Sequence, residues 1–357
     1  MPGKVNKAYW EAVCPKRWKA VLVVSAVLSL LVISVLVGTI LGSADLTLNT
    51  VLDVLKQKIF RIQNEGLSDS AVYIVWNLRL PRAVLAVAAG GGLAICGAAM
   101  QAITQNVLAD PYILGVSSGA SAMVSLNYFL GGIFLSSHLF TDAFAFMGAI
   151  LAMFLVYSVG VAKGGASNTR LVLAGMAVSI VLNAVSQFFI TMSDEKASRS
   201  VTMWMMGSLA DARWENIPIP LLASLAGLLF FCAHARGYDL ISLGDETAIS
   251  MGINAAKLKM RTMIAVSFVT GIIVASCGLI GLVGFVIPHL VRLLLGAGHR
   301  KLLPVSFLTG CIFLVWMDVI ARTIMAPQEF PIGIFTAFCG GPFFVWLLYK
   351  QNSIGKE

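Results

Sequence analysis

Apolar positions in this chain come in long blocks, and the lengths of those blocks carry the first inference. Cutting the sequence at its Asp, Glu, Lys and Arg residues leaves uncharged runs at 20–44, 83–109, 111–141, 143–162, 171–193, 216–235, 262–291, 302–317 and 330–349. Most reach the roughly 20 residues that a helix needs to cross a hydrocarbon core about 30 Å thick. Within each run the apolar character is continuous rather than alternating, which fits helices and excludes a membrane β-barrel. The pattern predicts an all-α polytopic membrane protein. Composition agrees, because 58% hydrophobic against 12% charged residues is more apolar surface than a soluble 357-residue chain can hide.

Run 262–291 decides the number of spans. Read as one helix it gives nine; read as two helices broken in "CGLIGLVGFVIPH", with Gly278, Gly281, Gly284 and Pro288 as breakers, it gives ten. Ten spans put both termini on one side, together with about 16 of the 25 Lys and Arg residues. The excess of basic residues on that side identifies it as cytoplasmic. The expected organisation is a cytoplasmic segment 1–19, one compact transmembrane domain of about ten helices over 20–350, and a cytoplasmic tail 351–357. Residues 1–19 carry five basic residues and lead into about 22 apolar positions without a small-residue cleavage site, so a retained first helix is expected rather than a signal peptide. The segments 43–77, 194–214 and 322–329 fall outside; 163–170, 236–261 and 292–301 fall inside.

Two features inside the apolar runs stand out. Ala86, Gly90, Ala94, Ala98 and Ala102 repeat at i+4 and form a small-residue stripe, the device by which membrane helices bring their backbones together. Gly115–Gly119 and Gly160–Gly164 are further pairs of that kind. Ser179, Asn183 and Gln187 share one helix face, where uncharged polar groups either line a cavity or bond a neighbouring helix.

The longest polar interruption on the inside is 237–261, "GYDLISLGDETAISMGINAAKLKMR". Asp245 and Glu246 suit the positive end of a short helix, Gly252 a stop, and Asn254 the cap of a second helix that runs on through Lys257, Lys259 and Arg261. Either a solvated loop or a docking surface for a soluble partner fits that pattern.

Other chemistries find little support. The six cysteines, Cys14, Cys96, Cys232, Cys277, Cys311 and Cys339, show no CxxC pairing, so neither a disulfide framework nor a zinc site is expected. The net charge of +8 is spread over short loops, which fits membrane orientation rather than nucleic acid. A membrane haem enzyme needs facing histidines; His138, His234, His289 and His299 lack i+4 partners, and His299 is expected in a basic loop. An ion-coupled transporter would carry an ionisable residue at mid-membrane, and here only Asp318 approaches a span interior, near its outer end.

Five ordered blocks, "RLPRAVLAV…GAAMQAITQNVLADPYILGVSSGAS", "MWMMGSLADARW", "SLGDETAISMGI", "GLVGFVIPHLVR" and "DVIART…EFPIGIFTAFCGGPFFVWLL", resemble the permease family of ABC importers for iron–siderophore complexes, haem and cobalamin, from about residue 75 to 350. The resemblance implies a permease dimer of two such chains, two cytoplasmic ATP-binding subunits and an extracytoplasmic substrate-binding protein, in a bacterial or archaeal cytoplasmic membrane. It implies that Arg79, Arg82 and Arg322 meet acidic residues of the binding protein, and that Gly244, Asp245, Glu246, Ala248, Met251 and Gly252 form a coupling contact with the ATPase. Asn168 and Thr169 would stand at a cytoplasmic gate, with Ser179, Asn183 and Gln187 above them along the pathway. The expected cargo is an iron chelate, with cobalamin as the alternative. No G-x4-G-K-[ST] phosphate loop occurs in the sequence, so no cofactor is expected on this chain; ATP and Mg²⁺ would sit on the partner.

Overall fold

A computed structural model describes residues 7–42, 44–62, 66–131, 138–161 and 168–354, with only the backbone described for 7–21, 138, 161, 168, 347, 348 and 350–354. The elements are α1 (Lys7–Ile40), α2 (Leu48–Phe60), α3 (Asp69–Tyr73), a π-helical turn (Ile74–Arg79), α4 (Leu80–Thr104), a 3₁₀ turn (Pro111–Leu114), α5 (Val116–Phe129), α6 (His138–Val161) and α7 (Asn168–Met192). They continue with α8 (Glu195–Met205), α9 (Pro218–Ala233), α10 (Ala235–Ile241), α11 (Asp245–Ser250), α12 (Ala255–Cys277), α13 (Val283–Leu295), α14 (His299–Thr323) and α15 (Ile332–Ile354).

Among the described residues ten of these helices are largely apolar: α1, α4, α5, α6, α7, α9, α12, α13, α14 and α15. Six of the apolar segments are long enough to cross a bilayer alone, and α9 with α10 makes a seventh that bends by 60°. At 1.5 Å per residue α5 and α13 reach only about 20 Å. Both are largely buried among other helices. Run 111–141 was therefore not one span. It holds the 3₁₀ turn, α5 and the first turn of α6, and no charge marks the division.

Helix α4 is the axis of the bundle and is buried along almost its whole length. Its small-residue stripe is a backbone contact. A Cβ added at Gly90 would lie 2.2 Å from the Gly310 carbonyl oxygen of α14, which packs on the same face near Ala94. A second close approach lies off the stripe: a Cβ at Gly97 would come within 1.8 Å of the Gly284 oxygen of α13. Gly119 of α5 meets Gly148 of α6 in the same way.

The break expected in 262–291 is present. It occupies 278–282, with Gly278 at φ 70° and Leu282 at φ 69°. Gly284 and Pro288 are not breakers as expected but lie inside α13. A proline within a helix frees the carbonyl four residues before it. Here that is Gly284, whose oxygen is covered by the α4 backbone at Gly97. The backbone of the break is satisfied by a side chain: the Tyr112 hydroxyl donates to the Ile280 oxygen at 3.0 Å and accepts from its nitrogen at 3.2 Å. The Cys277 oxygen accepts from the Ser208 nitrogen at 2.9 Å. Bonds of this kind allow non-helical backbone at membrane depth.

Candidate functional site

Two polar constellations lie at opposite ends of α4, which at 1.5 Å per residue is about 37 Å long. The first, at its N-terminal end, contains Arg79, Arg82 and Arg322. Arg79 Nη1 donates to the Thr39 and Ile40 oxygens at 3.2 and 2.6 Å, and its Nη2 to the Ala44 oxygen at 2.7 Å. Arg322 donates to the Leu41 oxygen at 2.9 Å and to the Gly38 oxygen. Two guanidinium groups thus cap the last carbonyls of α1, which would otherwise lack partners at the negative end of that helix. Arg82 reaches Asp318 at 2.6 Å and Glu329 at 2.7 Å, while Asp318 also pairs with Arg322 at 3.1 Å.

The three arginines are thus brought together, but not as free outward cations. They are only 6–9% exposed and are engaged within the chain, Arg79 and Arg322 on α1 and Arg82 on Asp318 and Glu329. The physical reason is that a desolvated charge must find opposite charge or carbonyl oxygens, and α1 and Asp318 supply both. Asp318, the ionisable residue nearest a span interior, is likewise a buried ion-pair partner in this cluster.

The second constellation lies at the C-terminal end of α4. The local prediction for 237–261 is realised: α11 begins at Asp245 and Glu246, Gly252 takes φ 84°, and Asn254 Oδ1 accepts from the Lys257 nitrogen at 2.9 Å to start α12. Gly244 precedes α11 at φ 120°, and Ala248 is the residue that α11 buries. Leu243, Ile249 and Met251, in and beside this short helix, are exposed apolar side chains. Asp245 pairs with Lys259 at 2.5 Å and accepts from Gln105 at 3.1 Å, and Gln105 also donates to the Ile241 oxygen at 2.7 Å. Asp239 of α10 accepts from the backbone nitrogen of His299 at 2.9 Å and lies 2.7 Å from its Nδ1. His299 is therefore the buried first residue of α14 rather than part of a solvated basic loop. These partners lie 14 to 140 residues apart, and no sequence spacing announces them.

The pathway candidates lie on α7. Ser179 stands near Gly115, whereas Asn183 and Gln187 are exposed and neither side-chain amide has a partner among the described residues. They share that outer surface with Met176, Ile180 and Val181. Thr169 is exposed at the start of α7; the side chain of Asn168 and residue 164 of the Gly160–Gly164 pair lie outside what is described. Among the described residues no group of three or more His, Cys, Asp or Glu is placed to hold a metal ion.

Residues 30–350 match the model of the FecCD transport family. The hemin transport system permease protein HmuU of Yersinia pestis is 35% identical over 93% of this chain and 96% of its own length. The cobalamin import system permease protein BtuC of Halobacterium salinarum is 38% identical over 80% of this chain and 76% of its own. A solved structure of a metal-chelate type ABC transporter in an inward-facing conformation superposes with a TM-score of 0.78 at 29% identity, covering 93% of this chain and 99% of that one.

Proposed function

Because the chain belongs to the FecCD transport family, we propose that it is the membrane permease of an ATP-driven importer for an iron chelate, either a ferric siderophore or haem. Cobalamin, the cargo named for one relative, is the alternative. In this reading two copies of the chain enclose a pathway in the cytoplasmic membrane of a bacterium or archaeon, a binding protein delivers cargo from outside, and two soluble subunits hydrolyse ATP.

The observation that carries the reading is the α10–α11 elbow. It is larger than a link between adjacent spans requires, and it holds Leu243, Ile249 and Met251 out to solvent on an otherwise polar segment. A contiguous apolar patch with a polar rim is what a partner surface needs. It lies at the same end as Gln105 and His299, and so opposite the arginine cluster. In this reading Gly244 and Gly252 set the ends of the docking element, Asp245, Glu246 and Ala248 seat it, and Met251 enters the ATPase.

The exposed amides of α7 support pathway lining. Two unpartnered carboxamides facing lipid would be costly, whereas a second copy packed near this face would turn Asn183 and Gln187 toward a hydrated conduit, with Asn168 and Thr169 at its cytoplasmic mouth. At the outer end the arginine cluster braces the rim on which the binding protein docks; direct pairing with that protein would require Arg82 to exchange Glu329, its half-exposed partner.

The test is co-purification with the ATP-binding subunit. Replacing Leu243, Ile249 and Met251 together by Ser should release the ATPase while the permease stays folded; an unaltered complex would refute the docking assignment.

A further inference from the structure

We propose that Lys259 and Gln105 are the positioning residues that pass movement of the cytoplasmic elbow into the membrane helices. This rests on the reading of α11 as the ATPase contact and adds to it the route by which that contact reaches the bundle.

Asp245, the first residue of α11, divides its carboxylate between two bundle helices. One oxygen meets Lys259 Nζ of α12 at 2.5 Å; the other accepts from Gln105 Nε2 at the end of α4, at 3.1 Å. The same Gln105 amide donates to the Ile241 oxygen at 2.7 Å, so one side chain ties the end of α10 and the start of α11 to α4. The asymmetry of burial gives the linkage its direction. Lys259 is 4% exposed, set among Thr104, Ile113, Leu171 and Met263, whereas Asp245 is 40% exposed on the elbow. A buried ammonium cannot give up its carboxylate to water without a large desolvation cost. Displacement of α11 therefore drags α12 along rather than breaking the pair. Gln105 takes the left-handed conformation, φ 53°, at the C-cap of α4, where an ordinary side chain is seldom found. The Asp239–His299 contact forms a third joint, to α14, that keeps the elbow seated when either of the other two is removed.

Different side chains carry the two contacts: Ile249 and Met251 are exposed, whereas Asp245 is bonded to Gln105 and Lys259. A residue that only transmits should alter coupling without altering docking. The experiment uses the full complex of permease, ATPase and binding protein in proteoliposomes. The binding protein is loaded with haemin, or with a ferric hydroxamate if the parent complex does not take up haemin. Lys259→Met fills the apolar surroundings without charge, Lys259→Arg restores the charge, and Gln105→Asn keeps a residue at ease in the left-handed region but one methylene too short. Lys259→Met and Gln105→Asn should keep the ATPase in the complex yet lose at least about fivefold in uptake and in stimulation of ATP hydrolysis by the binding protein; Lys259→Arg should recover most of both.

Uptake and stimulation within about twofold of the parent for both neutral variants would overturn the proposal, as would loss of the ATPase from both, which would make these residues part of docking itself. If Lys259→Met does not assemble, Gln105→Asn decides alone. The docking premise fails separately, if Leu243→Asp retains the ATPase.

Discussion

The two ends of α4 solve the same electrostatic problem in opposite ways. At the outer end both members of the central pair are buried: Arg82 is 10% and Asp318 3% exposed, and two neighbouring arginines cap α1. At the inner end the Lys259 ammonium and the His299 imidazole are buried in the bundle, while the carboxylates they meet, Asp245 and Asp239, stand about 40% exposed on a separate elbow. Where both charges are desolvated, separating them exposes two unpaired ions to a low dielectric, and the joint is fixed. Where one partner is half in water, the elbow can rock on its anchors. In the proposed orientation the outer end is a clamp and the inner end a linkage, the division of labour expected of a conduit driven from the cytoplasm.

That contrast is open to a graded series of substitutions, in which the cost should follow the burial of the carboxylate. Asp318→Ala leaves Arg82 and Arg322 without their shared partner and should cost about 3–5 kcal/mol, read as a large fall in thermal stability in detergent. Leu243→Asp places a charge in the apolar docking patch. It should weaken ATPase binding by about 2 kcal/mol, roughly 30-fold, in a titration of the purified subunit, while permease stability stays unchanged. Asp239→Asn keeps a hydrogen-bonding group beside His299 but removes the charge of a partner already 41% exposed. Its stability cost should be about 1 kcal/mol, measured in the same melts. Glu329→Gln, at a carboxylate 45% exposed, should change stability by less than about 1 kcal/mol. An Asp318 variant as mild as the Asp239 variant would erase the distinction between clamp and linkage.

Much of the fold was legible because charge is scarce in the chain and falls at helix ends. Each uncharged run of 143–349 contains the helix or helix pair it predicted, and the glycines of 278–282 correctly signalled a break. The division of 111–141 was not legible, since a turn that lies inside protein needs no charge to mark it. Pro288 misled for a related reason: its cost as a breaker depends on whether the freed Gly284 carbonyl finds cover, and the residue that covers it, Gly97, lies far earlier in the chain on α4. The arginines show the limit most clearly. Sequence indicates that Arg79, Arg82 and Arg322 must have partners, but it does not distinguish a carboxylate on another protein from Asp318 and the carbonyls of α1. The helix starts and stops of the elbow were legible because caps and glycines act within a few residues, whereas its tethers to Lys259, Gln105 and His299 exist only once the bundle is assembled.

The central claim is that this chain is a conduit energised only through its cytoplasmic elbow. The most direct measurement is uptake of a radioiron-loaded chelate into ATP-filled proteoliposomes, with the permease and its binding protein present and the ATPase subunit either included or left out. The account predicts accumulation against a gradient only when the ATPase is included and α11 is intact. Concentrative uptake without the ATPase, abolished by collapsing the proton gradient, would contradict it.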